Sequence, residues 1–182
     1  MPSFAESLQL MESWVESESL RRHMRSVEVA MRAYAGRFGA DQEAWAIAGV
    51  LHDFDYQRFP ETHPYKGVEI LTKANYPAEI TQAILAHATF TGAPRESLMA
   101  KALFAVDELT GLITAAVLIR PERTLAGLEP ASIKKKFKDK SFAKGVNRGE
   151  IELGASELGL SLDEHLDFVL RAMQANSELL GL

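Results

Sequence analysis

Apolar residues recur at three- and four-residue intervals along almost the whole chain, and no window alternates with the period of two that marks a half-buried strand. Phe4, Leu8, Met11 and Val15 predict a first helix, with Ser3 and Glu6 spaced as a capping box. Leu20, Met24, Val27, Met31, Tyr34 and Phe38 form a longer stripe, which Gly39 closes as a C-terminal cap. Asp41 is placed to cap a third helix through Trp45, Ala48 and Leu51, and that helix runs into the doublet His52-Asp53. Two prolines and mixed polarity make Phe54 to Pro64 a loop. Helices are expected from His63 or Tyr65 to Lys73, from Pro77 to Ala88 with Pro77 in the first turn, and from Glu96 to Ile119. The pattern weakens and charge rises from Arg120 to Arg148. A closing pair covers Glu150 to Leu158 and Leu162 to Leu179, the second opened by a Ser161–Glu164 capping box. The fold class is therefore all-α, a compact helical bundle.

The length of 182 residues suits one domain with a substantial core. The formal charge of −5 argues against a nucleic-acid polymer as partner. The most apolar run, Ala100 to Ile119, carries Lys101, Asp107 and Glu108, which would be costly in a bilayer, so it reads as a buried helix and no membrane partner is expected. The acidic, amphipathic start lacks the basic residues and apolar block of a signal peptide, so a cytoplasmic location is expected. No cysteine is present, which excludes disulfides and thiolate metal sites. Any metal has to be held by imidazole and carboxylate.

Four of the five histidines lie in the first half of the chain, beside apolar stripes. His23 is one turn before Val27, His52 shares a face with Trp45 and Ala48, and His87 is one turn after Ala83 and Ile84. Asp107 follows Leu103 by one turn within ALFAVDELTGLI, where a lone ionised carboxylate is strongly disfavoured. Singly, each is better read as a hydrogen-bonded core residue. Together they have one economical explanation, a divalent cation that satisfies all of them, because imidazole plus carboxylate is the ligand set of Zn, Fe, Mn or Ni.

His23 in LRRHMRSV, His52-Asp53 in AGVLHDFDY and Asp107 in FAVDELTGL follow one another as H…HD…D. In this order and on helices, they resemble the signature of the HD (histidine–aspartate) superfamily of metal-dependent phosphohydrolases. The resemblance spans roughly the first two thirds of the chain, an HD core at about 19–120 followed by a helical extension at 121–182. It implies that His23, His52, Asp53 and Asp107 hold one metal ion, with His52 and Asp53 at the catalytic centre. His63 and His87 fall where dinuclear members place the ligands of a second ion, with Asp53 bridging. In one-metal members such histidines instead line the pocket, and the dinuclear arrangement is the preferred of the two. The cofactor expected is Fe, Mn, Zn, Ni or Mg, one or two per chain. Asp55 is either a residue that orients a ligand histidine or a plain loop aspartate, and the loop reading is preferred.

The resemblance implies hydrolysis of a small phosphorylated substrate, with a nucleotide the leading class, by a metal-activated water. Two alternatives stay open: a di-iron oxygenase built on the same ligands, and a non-catalytic nucleotide-binding module. Candidate phosphate contacts are Lys134, Lys136 and Lys140 in the lysine-rich run IKKKFKDKSFAKGVNR, Arg58 and Lys66 after the doublet, and Thr110 one turn past Asp107. The competing reading of the run is a solvated helix face anchored by Phe137 and Phe142. His165 has no partner motif and reads as structural. Monomer and homodimer are both compatible with the sequence.

Overall fold

The computed structural model describes residues 2–182. Among these the chain forms ten α-helices and one short 3-10 turn, with no strand. They are α1 (Phe4–Trp14), α2 (Glu18–Phe38), α3 (Gln42–Leu51), α4 (Tyr65–Lys73), α5 (Ala78–His87), α6 (Leu98–Leu118), α7 (Pro130–Lys138), α8 (Arg148–Glu157), α9 (Leu162–Gln174) and α10 (Ser177–Leu180). The long helices α2 and α6 lie against each other at the centre. Helix α3 packs on α2, and α5 and α8 pack on α6. One apolar cluster runs from Met11 to Leu182 and draws on α1 to α6 and on the later helices alike.

The local signals act as the sequence suggests. Ser3 and Ser161 each accept a backbone N–H from a glutamate three residues on, which returns the bond. Asp41 accepts the amides of Glu43 and Ala44, and Gly39 ends α2 in the left-handed conformation. Two boundaries differ. Pro77 is the extended residue before α5 and not its first turn. The last helix breaks at Ala175 and Asn176 into α9 and α10. The weak stretch after Arg120 contains one helix, α7, followed by a segment with few bonds of its own. There the Arg148 guanidinium donates to the carbonyls of Phe137, Phe142, Ala143 and Val146, standing in for a regular ladder. None of the described helices is long and apolar enough to cross a membrane.

Two contacts set the core geometry. A Cβ on Gly49 would lie 2.8 Å from the Glu28 Cα, so only glycine allows α3 to approach α2 as closely as it does. That approach brings the end of α3 beside His23. On the other side, fully buried His165 ties α9 to α2 and α6. Its Nε2 lies 2.8 Å from the Ala105 carbonyl and its Nδ1 2.6 Å from the Tyr34 hydroxyl. A carbonyl can only accept, so Nε2 carries the proton, Nδ1 accepts from Tyr34, and the ring is neutral.

Burial lowers the His165 pKa from 6.5 to about 4. The unfolded chain then binds this proton more readily between those values, so stability present above pH 6.5 is lost as pH falls toward 4, by up to about 3 kcal/mol. Urea unfolding at pH 7 and pH 5 should show wild type losing more stability on acidification than His165→Gln. Equal losses in the two proteins would mean that His165 is already charged in the fold.

Candidate metal centre

Helices α2, α3, α5 and α6 and the loop after α3 bring His23, His52, Asp53, His63, His87 and Asp107 to one place. His23 Nε2 is 3.2 Å from His52 Nε2 and 3.0 Å from Asp107 Oδ1. His52 Nε2 is 3.5 Å from the same Asp107 oxygen. Asp53 turns its two oxygens in different directions. Oδ1 lies 3.2 Å from His63 Nε2 and 3.4 Å from His87 Nε2, whereas Oδ2 lies 3.5 Å from His52 and 3.9 Å from His23. Nitrogen and oxygen donors bound at about 2.0–2.2 Å to a single ion sit roughly 3–3.5 Å apart. The donor set therefore fits a cation: the donor atoms of His23, His52 and Asp107 lie within 4.8 Å of one another, as do those of His52, Asp53 and His87.

The helices deliver these side chains by ending there. His52 is the residue that caps α3, and its Nδ1 lies 2.8 Å from the Gly49 carbonyl. His87 is the last residue of α5, with Nδ1 2.5 Å from the Ile84 carbonyl. Each carbonyl belongs to a last turn that lacks an intrahelical partner, so each ring satisfies an otherwise orphaned acceptor. The carbonyl also fixes the tautomer, because Nδ1 must carry the proton and leave the Nε2 lone pair aimed inward. Two helix C-termini, with their partial negative charge, thus face the centre and favour a cation there.

Asp55 performs the same task for His63 and is not a plain loop residue. It is fully buried, holds His63 Nδ1 at 2.7 Å through Oδ1, and accepts the Gly67 amide at 2.6 Å through Oδ2. A Cβ on Gly67 would lie 2.8 Å from the Asp55 carboxyl carbon, so the glycine is what lets α4 close over this carboxylate. The loop reading failed because spacing cannot show that the turn after α3 folds inward.

Electrostatics express the crowding. Burial by itself would lower the pKa of His63, but bonds and charge from Asp53 and Asp55 outweigh it and hold the ring up to about 9. Burial likewise opposes charge on His52 and His87, and Asp53 and Asp107 more than offset it, so both rings are raised. Burial would lift both aspartates, yet the surrounding imidazoles hold Asp53 and Asp107 well below the usual carboxylate range.

His52 is fully buried, but His23, Asp53 and Asp107 keep 23%, 17% and 22% of their side chains exposed, so the cluster is open on one side. It opens into a cavity of about 520 Å³. Asp53, His63, His87 and Asp107 form the floor. Tyr56, Thr89, Phe90, Glu108 and Glu150 stand around it. Sequence reasoning named none of these five as site residues, although Glu108 directly follows Asp107. Glu150 carried no signal, because its place depends on how α8 docks on α6.

None of the expected phosphate contacts lines this cavity. Thr110 is fully buried and its hydroxyl donates to the Asp107 carbonyl, being on the core side of α6. Arg58 turns toward α1, donating to the carbonyls of Ser13 and Trp14 and stacking on the Trp14 ring. Lys66 pairs with Glu69. Lys134 pairs with Asp163 at the start of α9, Lys136 lies over the Phe142 ring, and Lys140 is exposed in the turn after α7. Lys136 shares a separate cavity with Ala116 and Ile119, and at 1.5 Å per residue Ala116 is about 14 Å along α6 from Asp107. Lys134, Lys135, Lys136 and Lys138 lie on α7 and Lys140 and Lys144 in the turns after it, with Phe137 and Phe142 packed against the core.

A helical scaffold that gathers imidazoles and carboxylates without a thiolate defines a protein with a candidate site for a divalent metal. The HD domain family model matches residues 20–112, just over half of the chain, and the protein belongs to that family of metal-dependent hydrolases. No curated protein sequence matches the chain.

Asp55→Asn should weaken metal binding about 10–100-fold if His63 is a ligand, the usual effect of losing a partner that orients a ligand histidine. Titration of metal-stripped protein by calorimetry reads this directly. Unchanged affinity would show that Asp55 only packs.

Proposed function

We propose that this protein is a phosphohydrolase that binds two divalent cations and acts on a small phosphorylated molecule, a nucleotide being the leading class. The observation that carries the reading is the divided carboxylate of Asp53, with one oxygen toward His63 and His87 and the other toward His23 and His52. A carboxylate so placed suits two ions better than one. His23, His52, Asp107 and Asp53 Oδ2 would hold the first, and His63, His87 and Asp53 Oδ1 the second. When bound, such ions supply Lewis acidity toward phosphoryl oxygens and acidify a water toward neutrality.

The chain's own residues supply the rest. The carbonyls of Gly49 and Ile84, together with Asp55, hold three rings so that their Nε2 atoms face the centre before any ligand arrives. The open side faces the cavity, and His52 lies fully buried behind the centre. Tyr56, edge-on to the His63 ring with centroids 5.3 Å apart, stands in the wall of that entrance.

Protein purified without added metal should carry two ions per chain by elemental analysis and release phosphate from members of a nucleotide and phosphomonoester panel. His87→Ala should retain about one ion, and Asp53→Ala should lose both, with helical content kept in circular dichroism. Oxygen uptake by the iron form without phosphate release from any compound would move the site to oxygenase chemistry. Full metal content in Asp53→Ala would remove Asp53 from the centre altogether.

A further inference from the structure

The cavity before the metal centre has a second feature, independent of the metal ligands. It is contributed partly by a helix outside the residues that match the family. Glu150 enters from α8 and Glu108 from α6, and no lysine or arginine lines the space. Each glutamate has one oxygen engaged by a neutral donor: Glu150 Oε1 accepts the Thr89 hydroxyl at 2.9 Å, and Glu108 Oε2 accepts the Asn147 amide at 3.1 Å. Among the described residues, no lysine, arginine or histidine forms an ion pair with either. These bonds fix the two side chains in place and leave an oxygen free on each. Two aromatic rings complete the wall, Tyr56 at 50% exposure and Phe90 at 71%.

Fixed carboxylates without a counter-ion, beside exposed aromatic faces, repel a phosphate and attract a cation. The phosphoryl end of a substrate therefore belongs on the floor, where the imidazoles gather. The wall faces the other end of the same molecule. A neutral hydroxyl would donate a hydrogen bond there but leave two negative charges uncompensated, whereas an ammonium group offsets them.

We propose that Glu150 and Glu108 select phosphorylated substrates whose other end carries a positively charged amine. The inference rests on the phosphohydrolase reading for the phosphate end only. Glu150→Gln tests it, because the amide keeps an oxygen to accept from Thr89 and an NH2 from which a hydroxyl can accept, yet removes the charge. O-phosphoethanolamine and 2-hydroxyethyl phosphate form a matched pair. Wild type should prefer the amine in kcat/KM by about tenfold or more, the size of one charge-assisted hydrogen bond. In Glu150→Gln that preference should collapse, chiefly through KM, with metal content unchanged, and in wild type it should shrink at high salt. A preference that is absent in wild type, or equal in the two proteins, overturns the proposal.

A second measurement needs no catalysis. Metal-free protein is titrated with ethanolamine or ethylene glycol while the amide resonances of Thr89, Phe90 and residue 150 are followed. Saturable shifts with ethanolamine alone, lost in Glu150→Gln, support the cation wall even if no phosphate ester is cleaved, in which case only the phosphohydrolase reading fails. Shifts with ethylene glycol alone, or with neither compound, overturn the cation wall even if phosphate esters are cleaved.

Discussion

The Asp53 carboxylate, with its two oxygens facing separate pairs of imidazoles, is the interaction around which the protein is arranged. An ionised carboxylate withdrawn from water costs several kcal/mol unless it is compensated. Here Asp53 and Asp107 are compensated by histidines, which are themselves raised by the aspartates against the opposing effect of burial. The cluster is thus stable only as a whole. A cation is the natural completion of such a set, since it lets every imidazole remain neutral while both carboxylates stay charged.

Rigidity at this centre comes from backbone more than from side chains. The last turns of α3 and α5 have carbonyls to spare, and His52 and His87 use them. His63 lies in a loop with no such carbonyl at hand, and a buried carboxylate takes its place, itself held by an amide of α4. Close approach is the common condition. Gly49 lets α3 meet α2, and Gly67 lets α4 meet Asp55. Side chains at these two positions would shift the helices that aim the ligands.

The helices after residue 120 do more than cover the core. Helix α9 is pinned to α2 and α6 by the neutral ring of His165, and Arg95 on the loop before α6 grips Glu157 of α8 through two bonds, at 2.7 and 2.8 Å. The docking of α8 in turn sets Asn147 against Glu108 and Glu150 against Thr89. The floor of the cavity is built from the family-matched residues, and one part of its wall from the extension.

Much of this was legible in the sequence. Helical periodicity, the caps at Ser3, Asp41, Gly39 and Ser161, and the inward placement of His23, His52, His87 and Asp107 are local properties, fixed by residues three or four positions apart. Helix ends at Pro77 and Asn176 were misplaced because several residues there tolerate either conformation. The tertiary structure alone decided which polar groups meet. Asp55 finds His63 and Gly67 because the turn after α3 folds inward, Arg58 is drawn to α1 carbonyls, and Lys134 and Lys136 follow α7 to the far end of α6. Glu150 reaches the cavity across 61 residues from Thr89. A charged side chain on a surface helix carries no local record of the direction it will face. Its partner is chosen by helix packing, and packing depends on the shapes of residues far away in the chain.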